Sequence, residues 1–162
     1  MPIKVLIVDD HKLIRDALED LFADTDDISV VGQCADGSEV TPAVERLRPD
    51  VVLMDLRMPV MDGLTATAEV LAAHPTVRVI VLTGALTPST AMEARAIGAA
   101  GYLLKEEDPA RLPEHVRTVA AGGLAWSPVA AGVCENGWDA VANGASDEAP
   151  SPYVDESPTQ FR

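Results

Sequence analysis

Short apolar runs that stop at polar residues recur along this chain, and the central one most constrains the fold. This run is Val51 to Met54, and it ends at Asp55. Four consecutive apolar residues are typical of a strand buried on both faces of a parallel sheet. Met58-Pro59 and Asp62-Gly63 then break the chain, so we expect Asp55 at the carboxyl end of a central strand, where open α/β sheets bind ligands. The alternative is an aspartate that only caps the following turn.

Four further runs have the same character. They are Ile3 to Val8, Ile28 to Cys34, Val77 to Leu82 and Ala100 to Leu104. We predict that each of them forms a strand, because each is short, apolar and bounded by residues that favour turns.

The segments between these strands have the spacing of helices. The apolar face of the first predicted helix consists of Leu13, Ile14, Ala17, Leu18, Leu21 and Phe22. Asp36-Gly37 predicts a turn into a second helix, which ends near Leu47. A third helix opens at Gly63 and ends before His74-Pro75, because the residue before a proline avoids helical geometry. A fourth helix is predicted from Thr87-Pro88 to a cap near Gly98.

The last predicted helix is irregular because two prolines lie near its start. Asp108-Pro109 has the pattern of a cap and a first helical position. Pro113 would then lie inside the helix, at a cost of about 3 kcal/mol. Either the helix begins at Pro113, or its first turn is separate. Gly122-Gly123 is predicted to end it.

The alternation of five strands with five helices predicts an α/β fold with a parallel, doubly wound sheet and right-handed crossovers. The carboxyl ends of all the strands lie at one edge of such a sheet. We therefore expect one site to contain Asp9, Asp10, Asp55, Thr83 and Lys105, which stand at the ends of strands one, three, four and five. Three carboxylates gathered at one place repel one another unless a cation joins them.

This set of groups suits phosphoryl chemistry. Oxygen ligands in a half-open site suit Mg²⁺, which keeps several waters and accepts phosphate oxygens as ligands. Lys105 can neutralise phosphoryl oxygens, and the Thr83 hydroxyl can donate a hydrogen bond to one of them. Asp55 then remains as the nucleophile that would form an aspartyl phosphate.

Each of these residues alone also has a structural explanation. Asp9 or Asp10 can cap the first helix, Thr83 can form a turn, and Lys105 can be a solvated surface lysine. His11 is expected to be exposed and structural. An acid pair, a further acid, a hydroxyl and a lysine at four strand ends are much less expected by chance, so we favour the combined site.

The charge of the chain limits its partners. Lys and Arg number 12 against 26 Asp and Glu, which gives a formal net charge of −14 at pH 7. Such a chain repels nucleic acid and anionic membranes and favours cations or basic protein surfaces. Cys34 and Cys134 match no metal spacing and are expected to be reduced thiols in a cytoplasmic protein. The amino terminus lacks the pattern of a signal peptide, and no apolar run approaches membrane-spanning length.

Four motifs follow one another along the chain. They are Val-Leu-Ile-Val-Asp-Asp-His, Met-Asp-Leu-Arg-Met-Pro-Val-Met-Asp-Gly, Val-Leu-Thr-Gly and Gly-Tyr-Leu-Leu-Lys. Together they resemble the receiver domain of two-component response regulators, and they are most similar to the nitrate and nitrogen-fixation regulators, whose receivers precede a LuxR-type helix-turn-helix. The resemblance spans about residues 2 to 130 and implies the flavodoxin-like (βα)5 fold with strand order 2-1-3-4-5.

The resemblance also implies a role for each acid of the site. Asp55 matches the phosphoacceptor and is also expected to be a ligand of the metal. Asp9 and Asp10 match the acids that bind Mg²⁺, for which Mn²⁺ can substitute. Arg57 matches the position that contributes a backbone carbonyl to the metal.

Three further residues match the switch of the family. Thr83 matches the switch hydroxyl, Lys105 the phosphate-binding lysine, and Tyr102 the aromatic residue that changes rotamer on activation. Without the resemblance, Tyr102 would be interpreted as a half-buried aromatic residue on an edge strand. The resemblance implies that a sensor histidine kinase supplies the phosphoryl group and that phosphorylation shifts the surface of the fourth helix, fifth strand and fifth helix.

We predict a receiver domain over residues 1–122, a linker-like segment over 123–133 and an acidic, disordered tail over 134–162. The residues after Trp126-Ser127-Pro128 offer neither the helices nor the positive charge of a helix-turn-helix, so no direct DNA binding is expected. The output partner is then an unidentified protein. Pro113 lies in the fifth helix, a common dimer surface of the family, so we expect at most a weak, phosphorylation-dependent homodimer.

Two other functions remain open on the sequence. One is a remnant of a DNA-binding transcriptional regulator whose helix-turn-helix is lost. The other is a phosphatase-like enzyme with an aspartate nucleophile, which predicts a second acid two residues after the nucleophile or a glycine-rich phosphate loop. Arg57 fills the first of these positions, and neither Gly-x-Gly-x-x-Gly nor a P-loop pattern occurs. We therefore favour a receiver that catalyses only its own phosphorylation and dephosphorylation at Asp55.

Overall fold

The apolar runs form one parallel sheet. The structure is a computed structural model that describes residues 1–84 and 87–132. Within these residues six strands lie in the order β2-β1-β3-β4-β5-β6, and every neighbouring pair is parallel. The strands are β1 (Ile3–Val8), β2 (Ile28–Cys34), β3 (Val51–Met54), β4 (Arg78–Thr83), β5 (Gly101–Leu104) and β6 (Ala125–Trp126). The predicted strand order is confirmed, and a sixth strand extends it.

A helix follows each of these strands. They are α1 (Lys12–Ala23), α2 (Val40–Leu47), α3 (Gly63–Ala73), α4 (Pro88–Ile97), α5 (Leu112–Ala120) and α6 (Pro128–Gly132). The predicted helix starts at Gly63 and Pro88 are confirmed. Gly98, directly after α4, has a φ of 106°, a left-handed conformation that suits glycine at the end of a helix. None of the helices in the described ranges has the length and hydropathy of a membrane span.

The sheet separates two apolar layers. Alternate residues of β1 point to opposite faces, so Val5 and Ile7 belong to one layer and Leu6 and Val8 to the other. The first layer includes residues of α1 and α5, which are Leu18, Phe22, Leu112, Val116 and Val119. The second includes residues of α2 and α3, which are Val40, Ala43, Val44, Ala66 and Val70. Helices thus cover both faces of the sheet, as expected of a doubly wound fold.

The described residues divide into two compact units. The first comprises residues 1–84 and 93–127 and contains the whole sheet. The second comprises residues 87–92 and 128–132. In the second unit, Thr87 caps the start of α4, because its hydroxyl accepts a hydrogen bond of 3.2 Å from the backbone N–H of Thr90. The predicted tail over 134–162, with Cys134, lies outside the described residues.

The prediction for the face of α1 is wrong at two positions. Leu13 is 83% exposed, and Ala17 is also exposed, whereas Leu18 and Phe22 are buried. At 3.6 residues per turn, Leu13 lies nearly half a turn, about 160°, from the midpoint of Leu18 and Phe22. The stripe that faces the sheet is therefore narrower than the six apolar residues suggest.

The start of the last helix settles the alternative left open by the two prolines. A separate 3₁₀ turn forms over Pro109–Arg111, and α5 follows from Leu112. The side chain of Asp108 caps the turn by accepting a hydrogen bond of 3.0 Å from the N–H of Ala110. Pro113 then lies in the first turn of α5, where a missing N–H has no intrahelical acceptor to lose.

The sixth strand corrects the interpretation of Tyr102 as a half-buried residue on an edge strand. β6 pairs with β5 through Gly101↔Ala125 and Tyr102↔Trp126, so β5 is an inner strand. Tyr102 is fully buried, and its ring stacks on that of Trp126 with centroids 5.7 Å apart. The segment predicted to be linker-like therefore contains residues that complete the sheet.

Replacement of Trp126 by alanine tests this stacking. Because the indole is half-buried and covers Tyr102, we expect Trp126→Ala to lower the free energy of unfolding by about 1–2 kcal/mol. Urea denaturation at 25 °C measures the change. Leu124→Ala is the control: Leu124 is 70% exposed, so its change should stay within about 0.5 kcal/mol. Equal losses for the two variants would contradict a structural role for the stacked pair.

Candidate functional site

The site forms where the parallel strands end. Hydrogen bonds of the sheet continue past the last residues of the strands: the N–H of Asp55 donates to the carbonyl of Val8 at 2.9 Å, and the N–H of Lys105 donates to that of Thr83 at 2.7 Å. These bonds fix the backbone of each residue at the same edge of the sheet. The positions of the side chains therefore follow from the strand order, with β1 beside β3 and β4 beside β5.

Acidic groups gather at this edge. One ligand atom each from Asp9, Asp10, His11 and Asp55 lies within 4.8 Å of the others. Asp9 is 2% exposed and Asp55 6% exposed. The cap position of α1 is held by His11, and the Asp9 carboxylate accepts a hydrogen bond of 2.8 Å from the N–H of His11 itself. Asp9 thus closes a local turn before the helix and keeps its carboxylate beside Asp55.

Lys105 joins the acids. Its Nζ lies 2.7 Å from Oδ2 of Asp9 and 3.2 Å from Oδ1 of Asp55, and its side chain is only 21% exposed. The interpretation as a solvated surface lysine is therefore wrong. The ammonium group is a cation that offsets the repulsion between the carboxylates.

The electrostatics of Asp55 and Lys105 follow from these contacts. Burial and the negative charge of Asp9 raise the pKa of Asp55, although Lys105 acts in the opposite direction. Burial alone would lower the pKa of Lys105, but its hydrogen bond to Asp9 and the charge of Asp55 outweigh burial and raise that pKa. The lysine therefore stays charged, while Asp55 carries a charge that is only partly compensated.

A divalent cation fits this donor set. Oδ1 of Asp10 is buried and, within the described residues, accepts no hydrogen bond, although it lies 3.1 Å from Nδ1 of His11. A buried carboxylate oxygen without a partner is unfavourable. Carboxylate oxygens are the ligands that hard cations prefer, so a metal ion among Asp9, Asp10 and Asp55 would satisfy this oxygen.

The remaining predicted residues lie around this cluster. Thr83 is buried at the end of β4 and is linked to Lys105 through the backbone. Tyr102 lies in β5, three residues before Lys105, and packs on Trp126. Arg57 is exposed in the loop that follows Asp55.

Sequence reasoning missed two residues near the site. Trp126 stacks on Tyr102, and Asp36 binds the loop after Asp55. The sequence indicates only a turn at Asp36-Gly37, and Trp126-Ser127-Pro128 indicates only a linker. Both contacts join residues far apart in the chain, so no local pattern identifies them.

Comparison with known proteins agrees with the fold. The protein-family model for the response regulator receiver domain matches residues 5–117 of this sequence. The response regulator GacA of Pseudomonas syringae pv. syringae is 40% identical over 126 residues, which are 78% of this chain and 59% of GacA. The transcriptional regulatory protein DegU of Brevibacillus brevis is 39% identical over 121 residues, which are 75% of this chain and 51% of DegU. The chain thus spans between half and three-fifths of the length of these relatives.

The fold agrees equally with a solved structure. A two-component response regulator of the LuxR family from Aurantimonas sp. SI85-9A1 superposes with a TM-score of 0.80 and 29% sequence identity. The match covers 86% of this chain and 99% of that chain. The family match extends over more than half of this sequence and includes the strand ends that carry the acids. The chain therefore belongs to the family of response regulator receiver domains.

Proposed function

We propose that a sensor histidine kinase phosphorylates this chain on Asp55 in the presence of Mg²⁺ and that the phosphoryl group switches a protein-interaction surface. The observation that carries the proposal is the contact between Lys105 and Asp55, at 3.2 Å, within the cluster that Asp9 and Asp10 complete. This arrangement supports the proposal because it groups a carboxylate that can act as a nucleophile, carboxylates that can bind a metal ion and an ammonium group that can neutralise phosphate.

The proposed chemistry is transfer of a phosphoryl group between two side chains. A carboxylate oxygen of Asp55 attacks the phosphorus of a phosphohistidine, the P–O bond forms as the P–N bond breaks, and the histidine leaves as imidazole. Asp9, Asp10, Asp55 and the backbone carbonyl of Arg57 would hold Mg²⁺, which supplies charge stabilisation to the phosphoryl oxygens when bound. Hydrolysis of the acyl phosphate by water returns Asp55, so the chain turns over only its own phosphoryl group.

The proposed switch uses the remaining strand-end residues. Lys105 exchanges its contact with the Asp55 carboxylate for a phosphoryl oxygen, and the Thr83 hydroxyl donates a hydrogen bond to another. The new contacts exist only in the phosphorylated state, so they shift the population of conformations around β5, including Tyr102.

The charge of the chain suggests the kind of output partner. With a formal net charge of −14 at pH 7, the chain favours a basic protein surface over nucleic acid. We propose that the receiver at residues 1–122 acts in the cytoplasm through such a partner and that any homodimer is weak and depends on phosphorylation.

Intact mass spectrometry tests the proposal. The protein is incubated with Mg²⁺ and a small acyl phosphate, and a single phosphoryl adduct is expected. EDTA should prevent its formation because the acids lose the cation that screens them. A folded protein that acquires no adduct at any Mg²⁺ concentration would contradict the proposal.

A further inference from the structure

The loop between β3 and α3, residues 55–62, connects the nucleophile to the rest of the site. It begins with Asp55 and carries Arg57, whose carbonyl is proposed to face the metal. The ends of the loop are held by backbone hydrogen bonds, from Asp55 N–H to Val8 at 2.9 Å and from Gly63 N–H to the carbonyl of Leu56 at 2.8 Å. A β-carbon on Gly63 would overlap the carbonyl of Asp55, so the chain closes tightly there.

A side chain from the neighbouring loop holds the middle of this segment. Asp36, after β2, is 7% exposed. Its Oδ1 accepts a hydrogen bond of 2.9 Å from the N–H of Val60, and its Oδ2 accepts one of 3.1 Å from the N–H of Met61. Oδ2 also accepts hydrogen bonds from the N–H and hydroxyl of Ser38, at 2.9 and 2.8 Å. One carboxylate thus joins two loops.

Few other contacts could hold the backbone of Val60 if its hydrogen bond to Asp36 were lost. The Val60 side chain is 82% exposed, so its backbone position does not depend on burial of the side chain. Within the described residues, one backbone-to-backbone hydrogen bond also joins the two loops, from Gly37 N–H to the carbonyl of Met61 at 3.2 Å. The backbone hydrogen bonds from Ser38 and Val60 lower the pKa of Asp36 to about 2, so the carboxylate is ionised at neutral pH.

We infer that Asp36 is a positioning residue, which holds the β3–α3 loop in the conformation that the metal site and Asp55 require. The inference rests on the proposed function and adds to it a residue that contacts neither metal nor phosphate. Asp36 acts through the backbone of Val60 and Met61, on the same short loop as the Arg57 carbonyl. Residues in this supporting role commonly change metal affinity when they are replaced.

Replacement of Asp36 by asparagine tests the inference. The amide keeps the shape but turns an N–H₂ group toward backbone donors, so at least one of the N–H groups of Ser38, Val60 and Met61 loses its acceptor. We expect the Mg²⁺ affinity, measured by calorimetry without phosphodonor, to fall about tenfold. Amide exchange at Val60 and Met61 should accelerate while that of the β-strands does not change.

A second variant separates the loop contact from the local turn. Asp36→Ser retains a hydroxyl that can accept from the N–H of Ser38, but its side chain is too short to reach Val60 as well. It should therefore lose as much Mg²⁺ affinity as Asp36→Asn with a smaller loss of stability. Should Asp36→Asn fail to fold, this variant decides the inference.

Asp50→Asn is the matched control. The Asp50 carboxylate also accepts a backbone hydrogen bond, of 2.8 Å from Lys4 N–H, but it lies at the start of β3 rather than at its end. The Mg²⁺ affinity of the Asp50→Asn variant should equal that of wild type. Unchanged affinity in both Asp36 variants, despite reduced stability, would overturn the inference. If the wild type binds Mg²⁺ but acquires no phosphoryl group, only the proposed function is contradicted. The Mg²⁺ affinities of the variants still test the role of Asp36.

The ionised form of Asp36 predicts a dependence of stability on pH. Its pKa lies at about 2 in the folded protein and at 3.8 in the unfolded reference, so its stabilising contribution is complete above the higher value and disappears as the pH falls through the lower one. The difference in unfolding free energy between wild type and Asp36→Asn should therefore shrink from about pH 4 to about pH 2. Urea denaturation across this range measures it, and a constant difference would show that ionisation has no role.

Discussion

Replacing Asp55 with asparagine is expected to abolish the phosphoryl adduct and to leave the fold intact. The amide has the shape of the carboxylate but lacks the nucleophilic oxygen, and no other acid in the cluster occupies its position at the end of β3. Intact mass after incubation with Mg²⁺ and an acyl phosphate compares the two proteins directly. Equal labelling would refute Asp55 as the phosphoacceptor.

Asp62→Asn is the control for this experiment. Asp62 lies in the same loop and caps α3 by accepting a hydrogen bond of 2.8 Å from the N–H of Thr65. Asparagine caps helices about as well as aspartate, so the stability and the adduct should both persist. Loss of the adduct in this variant would mean that the assay responds to any charge change in the loop rather than to the nucleophile.

The same substitution at Asp55 should raise stability in EDTA at pH 7. The folded protein raises the pKa of Asp55 through burial and the charge of Asp9, so the ionised carboxylate destabilises the fold. The penalty is present above the folded pKa and disappears below the unfolded value of 3.8. Asp55→Asn should therefore unfold at a higher urea concentration than wild type at pH 7, and the two midpoints should converge in acid.

Replacing Lys105 with alanine is expected to produce the largest loss of stability. The change leaves Asp9 and Asp55 without their ammonium partner at an edge of the sheet that is mostly buried. Breaking such a pair costs about 3–5 kcal/mol when it is fully buried, and partial exposure of Lys105 reduces the expected loss to about 2–3 kcal/mol. Urea denaturation in EDTA measures this loss, and Mg²⁺ should restore part of it because it supplies a cation to the same carboxylates.

The pH dependence gives the sign of the Lys105 contribution. Its pKa is raised above 10.5 in the folded protein, so its stabilisation is complete below that value and is lost as the pH rises through the folded pKa. The difference between wild type and Lys105→Ala should therefore be constant between neutral pH and about pH 9. A difference that vanishes near neutral pH would contradict the ion pairs as its source.

Lys12→Ala is the matched control for Lys105. Lys12 also forms an ion pair, of 2.7 Å with Asp16, but its side chain is 78% exposed on α1. Its removal should change stability by less than about 0.5 kcal/mol.

Lys105→Ala should still form the adduct but lose the change in amide exchange of β5 and α5 that phosphodonor produces in wild type. An unchanged response would remove Lys105 from the switch.

The sequence by itself determined the sheet and the acid cluster. β1, β2 and β3 have the predicted bounds, β4 is shifted by one residue at both ends, and β5 begins one residue later, because short apolar runs bounded by turn residues leave little freedom of assignment. Asp9, Asp10, Asp55 and Lys105 meet because parallel strands bring their carboxyl ends to one edge. The residue types and the strand ends are both local features of the sequence, so the cluster could be predicted, whereas the strand order came only from the family resemblance.

Only the tertiary structure decided the contacts that join separate loops and strands. β6 has two residues, too few for any periodicity, and it exists because β5 offers it backbone partners. Its pairing buries Tyr102, which sequence reasoning without the family resemblance leaves half-exposed. Asp36 likewise has the local pattern of a turn residue, and its bonds to Val60 and Met61 depend on two loops meeting in space. Local patterns determine which elements form, but such long-range hydrogen bonds and stacking arise only after those elements have packed.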